Sequence, residues 1–231
     1  MITALGLAEL KLLVRNRTAA ALAFAMPLLF GAFFALSFGD EGWTFAITLQ
    51  VLSTLGFTVY VTITTSLTSR RQDLYLKRLR TGAASDAVVL TGVVLPAVLL
   101  GLVQAVLLVG VSVAAGAQFP SRPDLLALAL VGGAAMSCAA GVATSGVTST
   151  AELAQITTGP FFFALLGGGI WAMSSDDIRA LLVPGGGVAD LVGAAWGGEG
   201  RPGWAALSLL AWTAVGCVLS ARLFRWDARS Q

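Results

Sequence analysis

Apolar and polar residues follow one another in long blocks along this chain. Six uncharged stretches, each about 20 to 30 residues long, are separated by short segments that hold the charged residues. A helix of about 20 apolar residues crosses the hydrocarbon layer of a bilayer, so each stretch predicts a membrane-spanning helix. The predicted spans one to six cover residues 18–38, 44–69, 87–117, 125–149, 153–173 and 203–221.

The composition agrees with this pattern. Of 231 residues, 57% are hydrophobic and 11% are charged, which leaves too little polar surface to cover a soluble fold of this length. The predicted fold is an all-α integral membrane protein with six transmembrane helices. The spans use most of the chain and leave no room for a soluble catalytic domain.

The distribution of Lys and Arg predicts the orientation of the spans, because cytoplasmic loops carry an excess of basic residues. If both termini are cytoplasmic, eleven basic residues lie inside and three outside. The outside set is Arg122, Arg179 and Arg201. This orientation places residues 70–84 in the cytoplasm and residues 174–202 outside.

The first 17 residues form a predicted segment of their own before the membrane domain of residues 18–231. Leu10, Leu13 and Val14 recur at helical spacing, while Lys11 and Arg15 lie together on another face. This pattern is typical of an amphipathic helix at the membrane surface. The alternative is a solvated helical lead into span one, because Glu9 interrupts the apolar side.

Span two carries hydroxyl groups at every fourth position, which places them on one stripe of a helix. They either bond to the carbonyl four residues earlier in their own helix or line a path for a transported substrate. Aromatic and amide side chains of other spans are candidate neighbours along such a path. The candidate path residues are Thr54, Thr58, Thr62, Gln104, Phe161, Phe162 and Phe163.

Span four repeats small residues every four positions, which lets another backbone approach closely. The set is Gly133, Ser137, Gly141, Ser145 and Ser149. The pattern leaves open whether the approaching helix belongs to this chain or to a second copy.

Two short apolar pieces, 178–183 and 188–196, lie between spans five and six and are separated by Pro184 and three glycines. Neither piece is long enough to cross a bilayer. They predict two half-helices that enter the membrane from the outside and are covered by protein. The alternative is an ordinary surface loop with two short helices.

Several kinds of chemistry are missing from the sequence. The chain has no histidine, which excludes a His base or a His metal ligand. Neither lysine follows a glycine, so the chain lacks a phosphate-binding loop and cannot hydrolyse ATP alone. No ionisable residue lies near the middle of a span, which lowers the case for an ion-coupled transporter. We therefore expect no cofactor and no metal on this chain.

The segment 70–82, RRQDLYLKRLRTG, concentrates charge in an otherwise apolar chain. As one short helix it places Leu74 within a broad charged side, with apolar residues on the other side. This arrangement predicts a docking surface, with an apolar anchor at Leu74 and basic residues around it. The alternative is a plain positively charged anchor for the membrane. The docking candidates are Arg71, Leu74, Tyr75, Lys77, Arg78 and Arg80.

These pieces together resemble the membrane subunit of an ABC-2 type exporter, in its drug-resistance branch. Such subunits begin with a basic amphipathic helix, as ELKLLVRNR does here. They continue with a short coupling helix and a long span, as in LYLKRLRTGAASDAVVLTGVVLPAVLLGLVQ, and place broken helices before the last span, as in IRALLVPGGGVADLVGAAW. The loop departs from the family's Glu-rich pattern, since Arg70, Arg71 and Gln72 precede Asp73.

The resemblance implies a type V ABC exporter in the bacterial cytoplasmic membrane. A separate ABC ATPase subunit would hold ATP and Mg, and a second permease subunit, identical or paralogous, would complete the path. The cargo would be an amphipathic small molecule, an antibiotic or a peptide, with the lipid bilayer as surroundings and no nucleic acid as partner. Alternatives are export of haem, lipid or a lipid-linked glycan by the same architecture, or a non-transporting membrane scaffold.

Overall fold

The computed structural model describes residue 15 and residues 21–38, 42–74, 85–224 and 226, which form helices and connecting turns without a strand. Within these described ranges, five helical runs are long and apolar enough to cross a membrane. They are Trp43–Gln72, Asp86–Ala114, Pro123–Val147, Ala151–Ser174 and Pro202–Leu223. These runs match predicted spans two to six. Predicted span one is helical over its described part, 21–38, and six full spans stay a prediction.

Several of these runs are composed of more than one helical segment. Span two contains a π-helix, Leu55–Val61, and the described part of span one also starts with a π-helix, Ala21–Ala25. The 24-residue run of span five has a turn at Thr158. The α-helices are α1 Met26–Phe38, α2 Trp43–Thr54, α3 Thr62–Gln72, α4 Asp86–Ala114, α5 Pro123–Val147, α6 Ala151–Thr157, α7 Gly159–Ser174, α8 Gly186–Ala195 and α9 Pro202–Leu223.

The helix starts follow local sequence signals. The side chains of Ser85 and Thr150 accept hydrogen bonds from the backbone N–H groups of Val88 and Leu153, at 3.4 and 3.2 Å. Such N-cap bonds satisfy donors that have no partner inside the helix. A proline stands at the start of α5 and α9, where its fixed φ favours the first helical turn.

Spans two and four form the centre of the bundle. In the most apolar window of span two 94% of the residues are buried, against 22% for span five and 17% for span six. Span four contacts spans two, three and six as well as the short helix α8. Spans five and six therefore present most of their surface outward.

The small residues of span four face neighbours in the same chain. A Cβ atom added at Gly133 would lie 2.6 Å from a methyl group of Leu55, and one at Gly141 would lie 3.0 Å from the carbonyl oxygen of Tyr60. Both neighbours belong to the π-helix of span two. The close approach predicted from the sequence is confirmed, and its partner is a helix of the same chain.

The segment between spans five and six contains a 3-10 helix, Ile178–Leu182, and the ten-residue helix α8. Gly185 joins them with a φ of 92°, in the left-handed region that favours glycine. A Cβ atom at Gly185 would collide with the carbonyl oxygen of Leu165, and one at Gly186 with that of Ala180. Most of α8 is buried against spans two, four, five and six, unlike a surface loop. Entry of this segment into the bilayer stays a prediction.

Candidate functional site

Span two ends at the charged segment in a way that the sequence did not indicate. Helix α3 stops at Gln72, and the N–H of Leu74 donates to the carbonyl of Arg71 at 3.2 Å. Leu74 has a φ of 55°, a left-handed conformation of the kind that commonly ends helices. One continuous helix over 70–82 was therefore a wrong prediction. The side chain of Leu74 is 44% exposed, and its role as a docking anchor stays a prediction.

Arg71 does not lie on an exposed charged surface. Its side chain is 2% exposed, and its guanidinium group donates a hydrogen bond to the carbonyl oxygen of Thr148, at the end of span four. The last carbonyls of a helix have no partner inside it and carry a partial negative charge, which attracts a cation. This position corrects the expectation that Arg71 stands among the charges around Leu74.

The next residue also binds the junction of spans four and five. Oε1 of Gln72 accepts a hydrogen bond from the N–H of Ala151, the first residue of α6, at 3.0 Å. The hydroxyls of Thr148, which follows α5, and Thr157, the last residue of α6, lie 2.8 Å apart. This contact connects the end of span four to the end of α6. We call Arg71, Gln72, Thr148 and Ala151 the clasp.

The other sequence candidates in the charged segments lie mostly outside the described residues. This applies to Lys11 in the amino-terminal segment and to Tyr75, Lys77, Arg78 and Arg80 in the docking loop. Arg15 is helical and exposed, and the interfacial helix itself stays a prediction.

The three path threonines of span two are all buried, but they have different partners. The hydroxyl of Thr54 donates to the carbonyl of Gln50 at 2.8 Å, and that of Thr62 to the carbonyl of Phe57 at 3.0 Å. Both bonds stay inside one helix. Thr58 instead lies 2.5 Å from Oε1 of Gln104 and 3.0 Å from the carbonyl oxygen of Ala23.

Gln104 closes this contact between three spans. Its Nε2 donates to the carbonyl oxygen of Ala23 at 2.8 Å, while its Oε1 accepts from Thr58. The sequence placed Gln104 near the hydroxyl stripe, and the structure joins it to the middle member.

A second glutamine makes a similar contact that the sequence analysis missed. Nε2 of Gln50 donates to the carbonyl oxygen of Gly31 at 2.9 Å, and its Oε1 accepts from the hydroxyl of Ser112 at 3.0 Å. Each glutamine therefore joins spans one, two and three. The sequence contained a signal for this contact, namely an amide side chain within an apolar span. A buried amide needs hydrogen-bond partners, so it indicates a contact with neighbouring helices.

Aromatic rings form a continuous row across spans one, two and five. Successive ring centroids are 4.5 to 5.9 Å apart, within the range of favourable aromatic pairs. The row has exposed members in two different spans, with Phe33 55% and Phe163 72% exposed. We call this the aromatic row, and its members are Phe33, Phe34, Phe30, Phe57, Phe162 and Phe163.

The predicted Phe161–Phe163 cluster thus divides between two environments. Phe162 and Phe163 belong to the aromatic row, while Phe161 packs against Tyr60 with ring centroids 4.7 Å apart. The hydroxyl of Tyr60 lies 3.1 Å from that of Thr144 in span four. Among the described residues, no group of three or more His, Cys, Asp and Glu side chains could hold a metal ion.

Comparison with known proteins identifies the family. Residues 2–176 match the family model of the ABC-2 type transporter, a match that includes predicted spans one to five, the charged segment and the clasp. Neither a curated protein nor a solved structure matches the chain. Since the matched region covers more than half of the sequence, the chain belongs to the ABC-2 type transporter family.

Proposed function

We propose that this chain is the permease subunit of an ABC exporter and moves an amphipathic small molecule, an antibiotic or a peptide out of the cell. A separate ATPase subunit binds ATP and Mg and docks on Leu74 and the segment that follows it, up to residue 84. The family match supports the permease role. The aromatic row is the observation that carries the choice of cargo.

The aromatic row offers an apolar surface of rigid rings at the side of the bundle. Aromatic rings bind flat apolar groups through large contact areas and favourable ring geometry. A Cβ atom at Gly56 would lie 2.5 Å from the ring of Phe162, so this ring rests directly on the backbone of span two. A movement of span two would therefore move the wall that a cargo contacts.

The polar candidates lie in the interior of the bundle. Thr58 and Gln104 are 0% and 4% exposed and already bond to span one. These bonds favour a structural role over direct contact with cargo. A position of Thr58 and Gln104 along the transport path stays a proposal. In the proposed path, the residues that touch the cargo are Phe162 and Phe163.

A second permease subunit, a copy or a paralogue, closes the path on the open side of the aromatic row. The exposed surfaces of spans one and five, with Phe33 and Phe163, supply the apolar area for this contact. The excess of basic residues in the predicted inner loops supports cytoplasmic termini. The proposed location is the bacterial cytoplasmic membrane.

The test uses the chain co-expressed with its ATPase and purified into lipid nanodiscs. ATP hydrolysis is titrated with aromatic amphiphiles, for which ethidium and doxorubicin serve as probes, and with haem and a lipid-linked glycan. We expect Phe163→Ala to raise the half-stimulating concentration of an active aromatic probe roughly 2- to 12-fold, the worth of one aromatic contact.

Phe119→Ala is the matched control, because Phe119 is 74% exposed and lies between spans three and four, outside the aromatic row. Equal half-stimulating concentrations for Phe163→Ala and Phe119→Ala would remove the aromatic row from the path. Stimulation by haem or by the glycan alone would change the cargo class. A chain that never co-purifies with an ATPase would contradict the proposed function as a whole.

A further inference from the structure

The clasp joins two parts of the bundle that are far apart in the sequence. Arg71 and Thr148 are 77 residues apart, and Gln72 and Ala151 are 79 residues apart. Thr148 is the C-cap of α5, and Ala151 is the first residue of α6. Two consecutive side chains of span two thus satisfy a carbonyl at the end of one helix and an N–H at the start of the next.

The bonds of the clasp favour a stiff connection. A guanidinium group on a helix carboxyl end makes a charge-assisted hydrogen bond, which is stronger than a neutral one. Arg71 is enclosed by protein, so water does not compete for this bond. Thr148 also bonds to Thr157, so α6 is held at both ends.

The place of the clasp in the chain gives it a function. Residues 75–84 follow Gln72 closely and lead into span three, which begins at Asp86. The backbone connects this segment to spans two and three, and helix α3 before it also packs against span four and α6. The clasp adds a contact to the junction of spans four and five.

We propose that Arg71 and Gln72 are positioning residues that pass movements of the ATPase-docking loop to spans four and five. This inference rests on the proposed function. Neither residue needs to touch the ATPase or the cargo. Loss of the clasp should leave docking and the response of span three intact while the response of span five weakens.

The test follows span three and span five separately in the complex with the ATPase. Cys138 and Cys217 are replaced by serine, and one reporter cysteine, Val111→Cys or Gly167→Cys, carries a bimane fluorophore. Val111 is 62% exposed, and a Cβ atom at Gly167 meets nothing within 4 Å, so both positions accept a label. The measurement is the fluorescence change between the nucleotide-free and the vanadate-trapped complex.

Gln72→Ala and Gln72→Glu are the matched pair of variants. Alanine removes the acceptor for Ala151 N–H, whereas glutamate keeps an acceptor oxygen next to a helix amino end. We expect Gln72→Ala to reduce the response at position 167 roughly threefold or more, within the range of mutational effects on coupling. Gln72→Glu should keep the response at position 167 near the wild-type level. In both variants, the response at position 111 and the amount of bound ATPase should stay at the wild-type level.

Arg71→Gln is a second test and should also reduce the response at 167, with Arg222→Gln at the exposed end of span six as its control. An unchanged response at 167 in Gln72→Ala would overturn the inference. Loss of ATPase binding in that variant would also overturn it, because Gln72 would then be a docking residue. An unsubstituted chain that binds ATPase and responds at 111 but never at 167 would show that the clasp transmits nothing. Absence of ATPase binding by the unsubstituted chain would instead contradict the proposed function.

Discussion

At the scale of single residues, similar side chains in span two have different roles. Thr58 and Thr62 stand on the same stripe, yet Thr62 bonds inside its own helix while Thr58 bonds to spans one and three. The carbonyl of Phe57, which accepts from the Thr62 hydroxyl, also accepts from the Thr62 backbone N–H. The hydroxyl of Thr62 can therefore be lost without leaving that carbonyl unpaired.

We expect Thr58→Val to lower stability by about 1–3 kcal/mol, because Oε1 of Gln104 loses its donor in a buried position. Thr62→Val should cost less than about 1 kcal/mol, since its carbonyl partner keeps a backbone donor. The measurement is the melting temperature of each purified variant in the same detergent. Equal losses would show that the contact between the three spans adds nothing to stability.

The same two variants test the path through transport and substrate-stimulated ATP hydrolysis at matched expression. Unchanged values for both would leave the stripe with a structural role alone. The bonds of Thr54, Thr58 and Thr62 favour this outcome.

At the scale of helices, close packing depends on glycines at particular contacts. Gly216 of span six faces the backbone of span four, where an added Cβ atom would lie 2.8 Å from Cβ of Ala139 and 3.0 Å from its carbonyl carbon. A backbone contact cannot move aside as the tip of a long side chain can. Gly216 is one of the few buried residues of span six, together with Ala205 and Leu209.

Gly216→Ala should therefore lower stability by about 1–3 kcal/mol through overpacking. Gly110→Ala is the matched control, because a Cβ atom there meets nothing within 4 Å. Alanine favours a helix over glycine, so the control should be neutral or up to about 1 kcal/mol more stable. Thermal unfolding of the two variants side by side measures the difference, and a stabilised Gly216→Ala would contradict the described packing of spans four and six.

At the scale of the whole molecule, Leu74 and the segment that follows it are the proposed docking site for the ATPase. We expect Leu74→Asp to reduce ATPase co-purification and stimulated hydrolysis more than Lys77→Ala or Arg78→Ala, because interface energy concentrates in a buried anchor. The left-handed backbone at Leu74 makes aspartate a suitable probe, since Asp tolerates this conformation better than most residues. Added salt should weaken the basic contacts and largely spare the anchor.

Leu74→Asn is the matched control, because it shares the backbone preference and shape of aspartate without the charge. A smaller loss in Leu74→Asn than in Leu74→Asp assigns the excess to a charge placed in an apolar contact. Wild-type co-purification and hydrolysis in Leu74→Asp would move the docking site to the amino-terminal segment or to the region of Glu152.

The orientation of the whole chain is a separate prediction from its charge distribution. A single cysteine at position 78 should resist an impermeant thiol reagent in intact cells, while one at position 199 should react. Permeabilised cells provide the control, because both positions should then react. Labelling at 78 in intact cells would reverse the orientation and remove the reason to place the ATPase at this segment.

The sequence alone determined where the apolar helices lie and to which family they belong. The five helical runs agree with predicted spans two to six to within three residues at every end. The runs are 43–72, 86–114, 123–147, 151–174 and 202–223. Span length is a local property, since any helix of sufficient apolar length satisfies its own backbone and can cross a bilayer. The spacing of small residues in span four likewise indicated a close contact before its partner was known.

Only the tertiary structure decided which side chains meet. Arg71 and Thr148 are 77 residues apart, and Gln104 and Ala23 are 81 residues apart. The helical repeat shows which residues share a face, but an apolar face fits lipid and another helix equally well, so the sequence does not reveal which face meets which neighbour. The burial of Arg71, the left-handed turn at Leu74 and the aromatic row follow from helix packing, because each depends on a partner or a chain direction that neighbouring residues do not specify.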